Sequence, residues 1–163
     1  MYFAASSHYA RQPFKRGNTL QVQQLCVSVE NKAETMTQIA DLLAQHCLNI
    51  RALSLIENNG NGLLRLIVND TGKAKQLLEN EGFQVTLQDV LVIEVPDKPG
   101  GLARVLHSVE HLSLKVEFLS AFTQKSGEQG LIILRFNNLD QAMTALNSAK
   151  IRTLSSEELY AMK

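Results

Sequence analysis

The segment "ENKAETMTQIADLLAQHCLNIRALSL", Glu30 to Leu55, and the segment "PDKPGGLARVLHSVEHLSLKVEFLSA", Pro96 to Ala121, run in step at an offset of 66 residues. Lys32 falls on Lys98, Met36 on Leu102, Ile39 on Val105, Leu53 on Leu119 and Ser54 on Ser120. A two-residue insertion then moves the offset to 68, where "GLLRLIVNDTGKA" from Gly62 meets "GLIILRFNNLDQA" from Gly130. Identity between the copies is low, but pattern and order agree. Self-similarity of this kind marks a duplicated supersecondary unit, so the chain must fold as two like modules.

Each copy reads as strand, helix, strand, strand, helix, strand. Leu25, Val27 and Val29 in one first strand, and Leu91, Ile93 and Val95 in the other, recur every second residue and so share one sheet face. Met36, Ile39, Ala40 and Leu43, like Leu102, Val105, Leu106 and Val109, have the spacing of a helical apolar stripe. The second and third strands, "NIRALSLIE" and "GLLRLIVND", are joined through "NNGNG", a sequence suited to a tight hairpin. Their counterparts are "KVEFLSAFT" and "GLIILRF". Second helices are predicted over about residues 71–81 and 138–149, followed by short strands at 83–87 and 151–154.

The βαββαβ order makes each copy an α+β, ferredoxin-like unit with both helices on one face of an antiparallel sheet. The modules are expected at 21–89 and 90–163, packed side by side because no linker separates them and a unit of about 70 residues is marginal alone. "LLRLIV" and "LIILRF" are apolar on both faces, which predicts that something covers the open sheet face, a second chain being the simplest candidate. Residues 1–20 are short of aliphatics and read as a disordered leader, with a natural start near Leu20 as the alternative.

Composition excludes several classes of partner. Sixteen Lys and Arg balance sixteen Asp and Glu, so no net field recruits nucleic acid or an anionic membrane. No apolar run reaches the length of a membrane span and no signal peptide is present, giving a cytoplasmic expectation. The two cysteines, Cys26 and Cys47, lack metal-ligand spacing and are expected as buried, reduced thiols.

Catalytic signatures fare no better. "HSVEH", His107 to His111, has the spacing of a helical zinc motif, but His107 and His111 lie opposite the apolar stripe and face solvent. Without a third ligand no metal site is expected. No nucleophile elbow, Walker loop or dinucleotide fingerprint occurs. The first strands carry no aromatic residues for stacking RNA bases. The expectation is a non-enzyme without cofactor.

What remains is "VPDKPGGLARVL", Val95 to Leu106, at the junction of first strand and first helix. A helix N-terminus offers unpaired amides and a positive dipole end to an anion. Pro99 suits a first helical turn, and Gly100 and Gly101 leave the amides, including that of Leu102, unobstructed. Serving the turn alone is the alternative role of the same residues.

Two tandem βαββαβ units with "DKPGGLARVL" in one, "NKAETMTQIA" at the same place in the other, and Asn49-Ile50 opening a second strand resemble the ACT domain family, over nearly all of residues 21–163. They look most like small stand-alone proteins made of two ACT domains. The resemblance implies a free amino acid bound between paired domains as a regulatory signal. By position it would meet Asp97, Lys98, Pro99, Gly100, Gly101 and Leu102, and Asn31, Lys32, Ala33, Glu34, Thr35 and Met36. A neighbouring module's second strand would close each site, bringing in Ser54 and Ser120; Asp97 and Asn31 acting only as helix caps, and the serines merely filling strand positions, are the alternatives. The first copy departs from the pattern, with Ala33-Glu34 where Pro-Gly is expected, so two unequal sites are predicted. A homodimer is expected. The second functional reading is a regulatory subunit holding an enzyme, like the small subunit of acetolactate synthase, although that subunit carries its Pro-Gly turn in its first half.

Overall fold

The computed structural model describes residues 20–30, 33–58, 61–123 and 128–162; the expected leader, Asn31 and Lys32 lie outside them, except for Leu20. The element order is β1 (Val22–Glu30), α1 (Ala33–Gln45), β2 (Ile50–Asn58), β3 (Asn61–Val68), α2 (Thr71–Asn80), β4 (Gln84–Pro96), α3 (Gly101–Val109), a 3₁₀ turn (Glu110–Leu112), β5 (Val116–Thr123), β6 (Gln129–Phe136), α4 (Leu139–Ser148), β7 (Arg152–Leu154) and α5 (Ser156–Ala161).

The strands join in the order β2-β3-β1-β4-β6-β5, with β7 also on β4, and every pairing is antiparallel. β4 is the join. The sequence predicts a short strand at 83–87 and a new one from Val90, but the chain runs through as one strand of 13 residues. Residues 84–90 pair with β1, and 91–96 pair with β6 and, in part, β7. Continuing the strand keeps the backbone groups between the two predicted strands in a ladder, where a break would leave them to be satisfied elsewhere.

The period-two residues behave as their spacing requires. Leu25, Val27 and Val29 pack with Ile39 and Leu43 of α1 and Leu78 of α2 in one core; Leu91, Ile93 and Val95 pack with Val105, Val109 and Leu146 in its counterpart. Two stripe positions differ: Ala40 and Leu102 are exposed. Ile39 and Leu43 point α1 at the sheet and turn Ala40 toward water, while Leu102 stands in the first turn of α3 beside the loop. Cys26 is buried but Cys47 is exposed, a correction to the expectation for both thiols: Cys47 ends the turn after α1 at φ 57°, outside the core.

A third cluster on the other sheet face was not foreseen. It joins Ile67 of β3, Val90 and Val92 of β4, Phe118 of β5, Ile133 of β6 and Leu159 of α5. Residues from both halves meet because the sheet curls: the Arg65 guanidinium on β3 lies 4.3 Å from the Phe118 ring centroid on β5, and Arg51 of β2 hydrogen-bonds the C-terminal chain at Tyr160 and Met162. Part of the face expected to need a second chain is thus covered by the chain's own C-terminal helix. Among the described residues no helix is long and apolar enough to cross a membrane.

Candidate functional site

The turn after β4 is built by backbone hydrogen bonds. The Lys98 N–H donates to the Pro96 carbonyl at 2.8 Å, Gly101 N–H to Lys98 at 3.1 Å, and Asp97 N–H to Glu128 at 3.0 Å. α3 begins at Gly101, with Gly100 as its N-cap at φ 95°, a left-handed conformation natural to glycine. Pro99 therefore precedes the cap instead of occupying the first helical position. A Cβ at Gly101 would stand 2.8 Å from the Pro96 carbonyl oxygen, so this glycine permits strand and helix to approach closely.

The starts of α2, α4 and α5 show what is unusual here. Asp70 caps α2 by accepting from Lys73 N–H, Asn138 caps α4 by accepting from Gln141 N–H, and Ser155 caps α5 within a capping box. The Gly100 cap has no side chain to offer, and Asp97 does not cap. First-turn amides of a helix have no partner within the helix. In α3 the Gly101 N–H is already taken by Lys98, and the rest of its first turn, Leu102 and Ala103, lines a cavity of about 550 Å³ together with Asp97, Lys98, Gly100 and Gly101, with Phe122 of β5 and Leu131 and Ile132 of β6 as an apolar wall.

The first module has a counterpart groove of about 640 Å³. Its Val29, Glu30, Ile56, Gly62 and Leu63 hold the repeat positions of Val95, Pro96, Phe122, Gly130 and Leu131, which line the second cavity. The two differ in what enters them. Ala33 and Glu34 at the start of α1 are exposed, Thr35 and Met36 are half-buried, and none of the four lines the groove; Arg65 does.

Ser54 and Ser120 are placed away from the turns. Ser120 lines a separate cavity of about 250 Å³ between the edge strands, with Arg51 and Leu53 of β2. Ser54 pairs with Arg65 across the β2–β3 ladder, and its buried Oγ has no hydrogen-bond partner. Arg65 was not singled out by the sequence reading, although a basic residue within "LLRLIV" was the visible signal. Its Nε and Nη1 are buried and unpartnered. On β1, directly across from Arg65, burial pushes the Cys26 thiol up, with Arg65 and then Arg135 pulling it partly back.

His107 and His111 are exposed, as their angular position predicts, and His107 Nδ1 lies 3.0 Å from Glu110 Oε2. The described residues contain no group of three His, Cys, Asp or Glu able to hold a metal ion.

The family described as an ACT domain pair matches residues 20–163 of the chain. Among solved structures, the protein BT0572 from Bacteroides thetaiotaomicron is 31% identical, with a TM-score of 0.82 and 87% of this chain and 97% of that one covered. The regulatory subunit of aspartate kinase from Thermus thermophilus, in a ligand-free form, shares the fold at 14% identity and a TM-score of 0.60, covering 80% and 93% of the two chains. No curated protein matched.

Proposed function

Because the chain belongs to the ACT domain pair family, we propose that it is a non-catalytic sensor that binds a free amino acid at the Gly100 turn and passes that occupancy on as a regulatory signal. The observation that carries this reading is the α3 N-terminus, capped by glycine alone and opening into a cavity. The ligand carboxylate is received by the first-turn amides, where the helix dipole favours negative charge. The Asp97 carboxylate at the cavity edge meets the ammonium, and Phe122 and Leu131 receive the side chain.

A second, unequal site is assigned to the first module, around Asn31 to Met36. The structural neighbour named as a regulatory subunit of aspartate kinase supports a regulatory role; a cytoplasmic location is part of the proposal. Assembly as a homodimer is part of the proposal. It is supported by Leu53 of β2, 63% exposed, and Val116 and Leu119 of β5, which leave apolar surface on both edge strands.

A thermal-shift screen against the twenty amino acids tests the reading. A ligand at 100 times its Kd stabilises the folded state by about 2.7 kcal/mol, so at least one amino acid should raise Tm. Ala121→Trp, which fills the cavity from β5, should abolish that response. A flat screen with folded protein would overturn the proposal, and a stable large partner on co-purification would favour the enzyme-subunit reading.

A further inference from the structure

The first module's groove is lined by a charged group, Arg65, two of whose nitrogens have no hydrogen-bond partner. Arg65 is only 9% exposed, and both Nε and Nη1 are without a hydrogen-bond partner. Arg65 has no carboxylate directly across from it on either side, Glu30 of the same groove standing opposite Asn61. The ladder neighbours of Arg65 are Ser54 on one side and Cys26 on the other, the latter a thiol whose burial favours the neutral form. Phe118 offers the face of its ring at 4.3 Å, which attracts a cation but supplies no hydrogen-bond acceptor in the plane of the guanidinium. Burying a guanidinium without an anion is costly, and a ring contact returns only part of that cost. The repeat sharpens the point, since the equivalent position in the second module is Ile133, which packs in the apolar cluster without any such demand.

We propose that Arg65 is the anchor of a carboxylate-binding site in the first module, taking a small carboxylate with an apolar body. The carboxylate pairs with the Arg65 guanidinium, which lines the groove. The apolar body lies against Ile56 and Leu63 along the groove. This goes beyond the turn site described above, because the anion is held by a side chain of β3 and not by amides at a helix start.

The test uses the full chain labelled with ¹⁵N-arginine, sodium benzoate as the probe, and its neutral analogue benzamide as the control. Benzoate should shift the Arg65 Nε–H resonance saturably, and benzamide should leave it in place. Arg65→Met should weaken benzoate binding by about tenfold to a hundredfold in calorimetry, as loss of hydrogen bonds to a charged group predicts. Arg65→Lys, which keeps the charge, should retain part of the affinity if Arg65→Met fails to fold. Ala121→Trp should leave the Arg65 response unchanged, since Ala121 lines the second module's cavity and not this groove. An Arg65 resonance unmoved by benzoate, one moved equally by chloride, or one moved only by inorganic phosphate overturns the assignment. So does loss of the response in Ala121→Trp, which would place the carboxylate at the turn.

Discussion

Arg51 on β2 donates from Nη1 to the carbonyl oxygen of Met162 at 2.7 Å, tying an edge strand of the first module to the last turn of the chain. Its Nη2 donates to Tyr160 at 2.6 Å, so one guanidinium spans two carbonyls left over at the end of α5. Arg51→Met should lower unfolding free energy by about 1–3 kcal/mol in urea denaturation, the usual worth of hydrogen bonds to a charged donor. Arg51→Lys should recover part of it. Amides of α5 should exchange faster in Arg51→Met than in the parent.

Leu159 is the apolar half of the same attachment. It is buried in the cluster that joins β3, β4, β5 and β6, so Leu159→Ala should cost about 2–5 kcal/mol. Combined with Arg51→Met the losses should fall short of their sum, because either change alone loosens α5 and leaves the other contact less to hold. Full additivity in a double-mutant cycle would mean that the helix does not act as one unit.

The two glycines of the turn should respond differently to substitution. Gly100 has open space around its Cβ position but φ of 95°, so Gly100→Val should cost about 1–3 kcal/mol while Gly100→Asn costs less, asparagine tolerating the left-handed region better. Gly101 meets backbone, so Gly101→Ala should displace the turn and cost about 1–3 kcal/mol. It should also remove amino-acid stabilisation in the thermal-shift measurement. Any side chain at Gly101 therefore acts on the strand-to-helix approach as well as on the site.

The repeat explains how much of this was legible beforehand. Leu25, Val27 and Val29 declare a buried face through local periodicity, and the same pattern at Leu91, Ile93 and Val95 declares the second module. The glycine cap of α3 was readable because Pro99, Gly100 and Gly101 are local chemistry. What was missed depends on distance. Nothing near Arg51 or Arg65 in the chain shows that one meets α5 and the other Phe118, because those contacts arise only when the sheet curls. The fusion of two predicted strands into β4 is of the same kind, as it is fixed by pairing with β1 and β6. α5 is a different case: Ser155 and Glu158 have the Ser-x-x-Glu spacing of a capping box, a local signal that was passed over.

That box carries a pH dependence. Glu158 is held below its ordinary carboxyl pKa chiefly by the Ser155 backbone N–H at 2.8 Å and next by Arg152 at 3.0 Å. Both partners favour the ionised form, so its folded-state pKa lies below the unfolded one. Its contribution to stability is present in full above the ordinary glutamate range and is lost as pH falls through the lowered folded value. Ser155→Ala removes the hydroxyl that accepts from Glu158 N–H at 3.2 Å and should cost about 0.5–2 kcal/mol, yet leave the Glu158 pKa low because the backbone donor remains. Ser155→Pro fits the local φ of −76° but deletes that donor, and should move the Glu158 pKa upward. A ¹³C titration of the Glu158 carboxyl in both variants checks this, and equal pKa values in the two would show that Arg152, not the Ser155 amide, sets the depression.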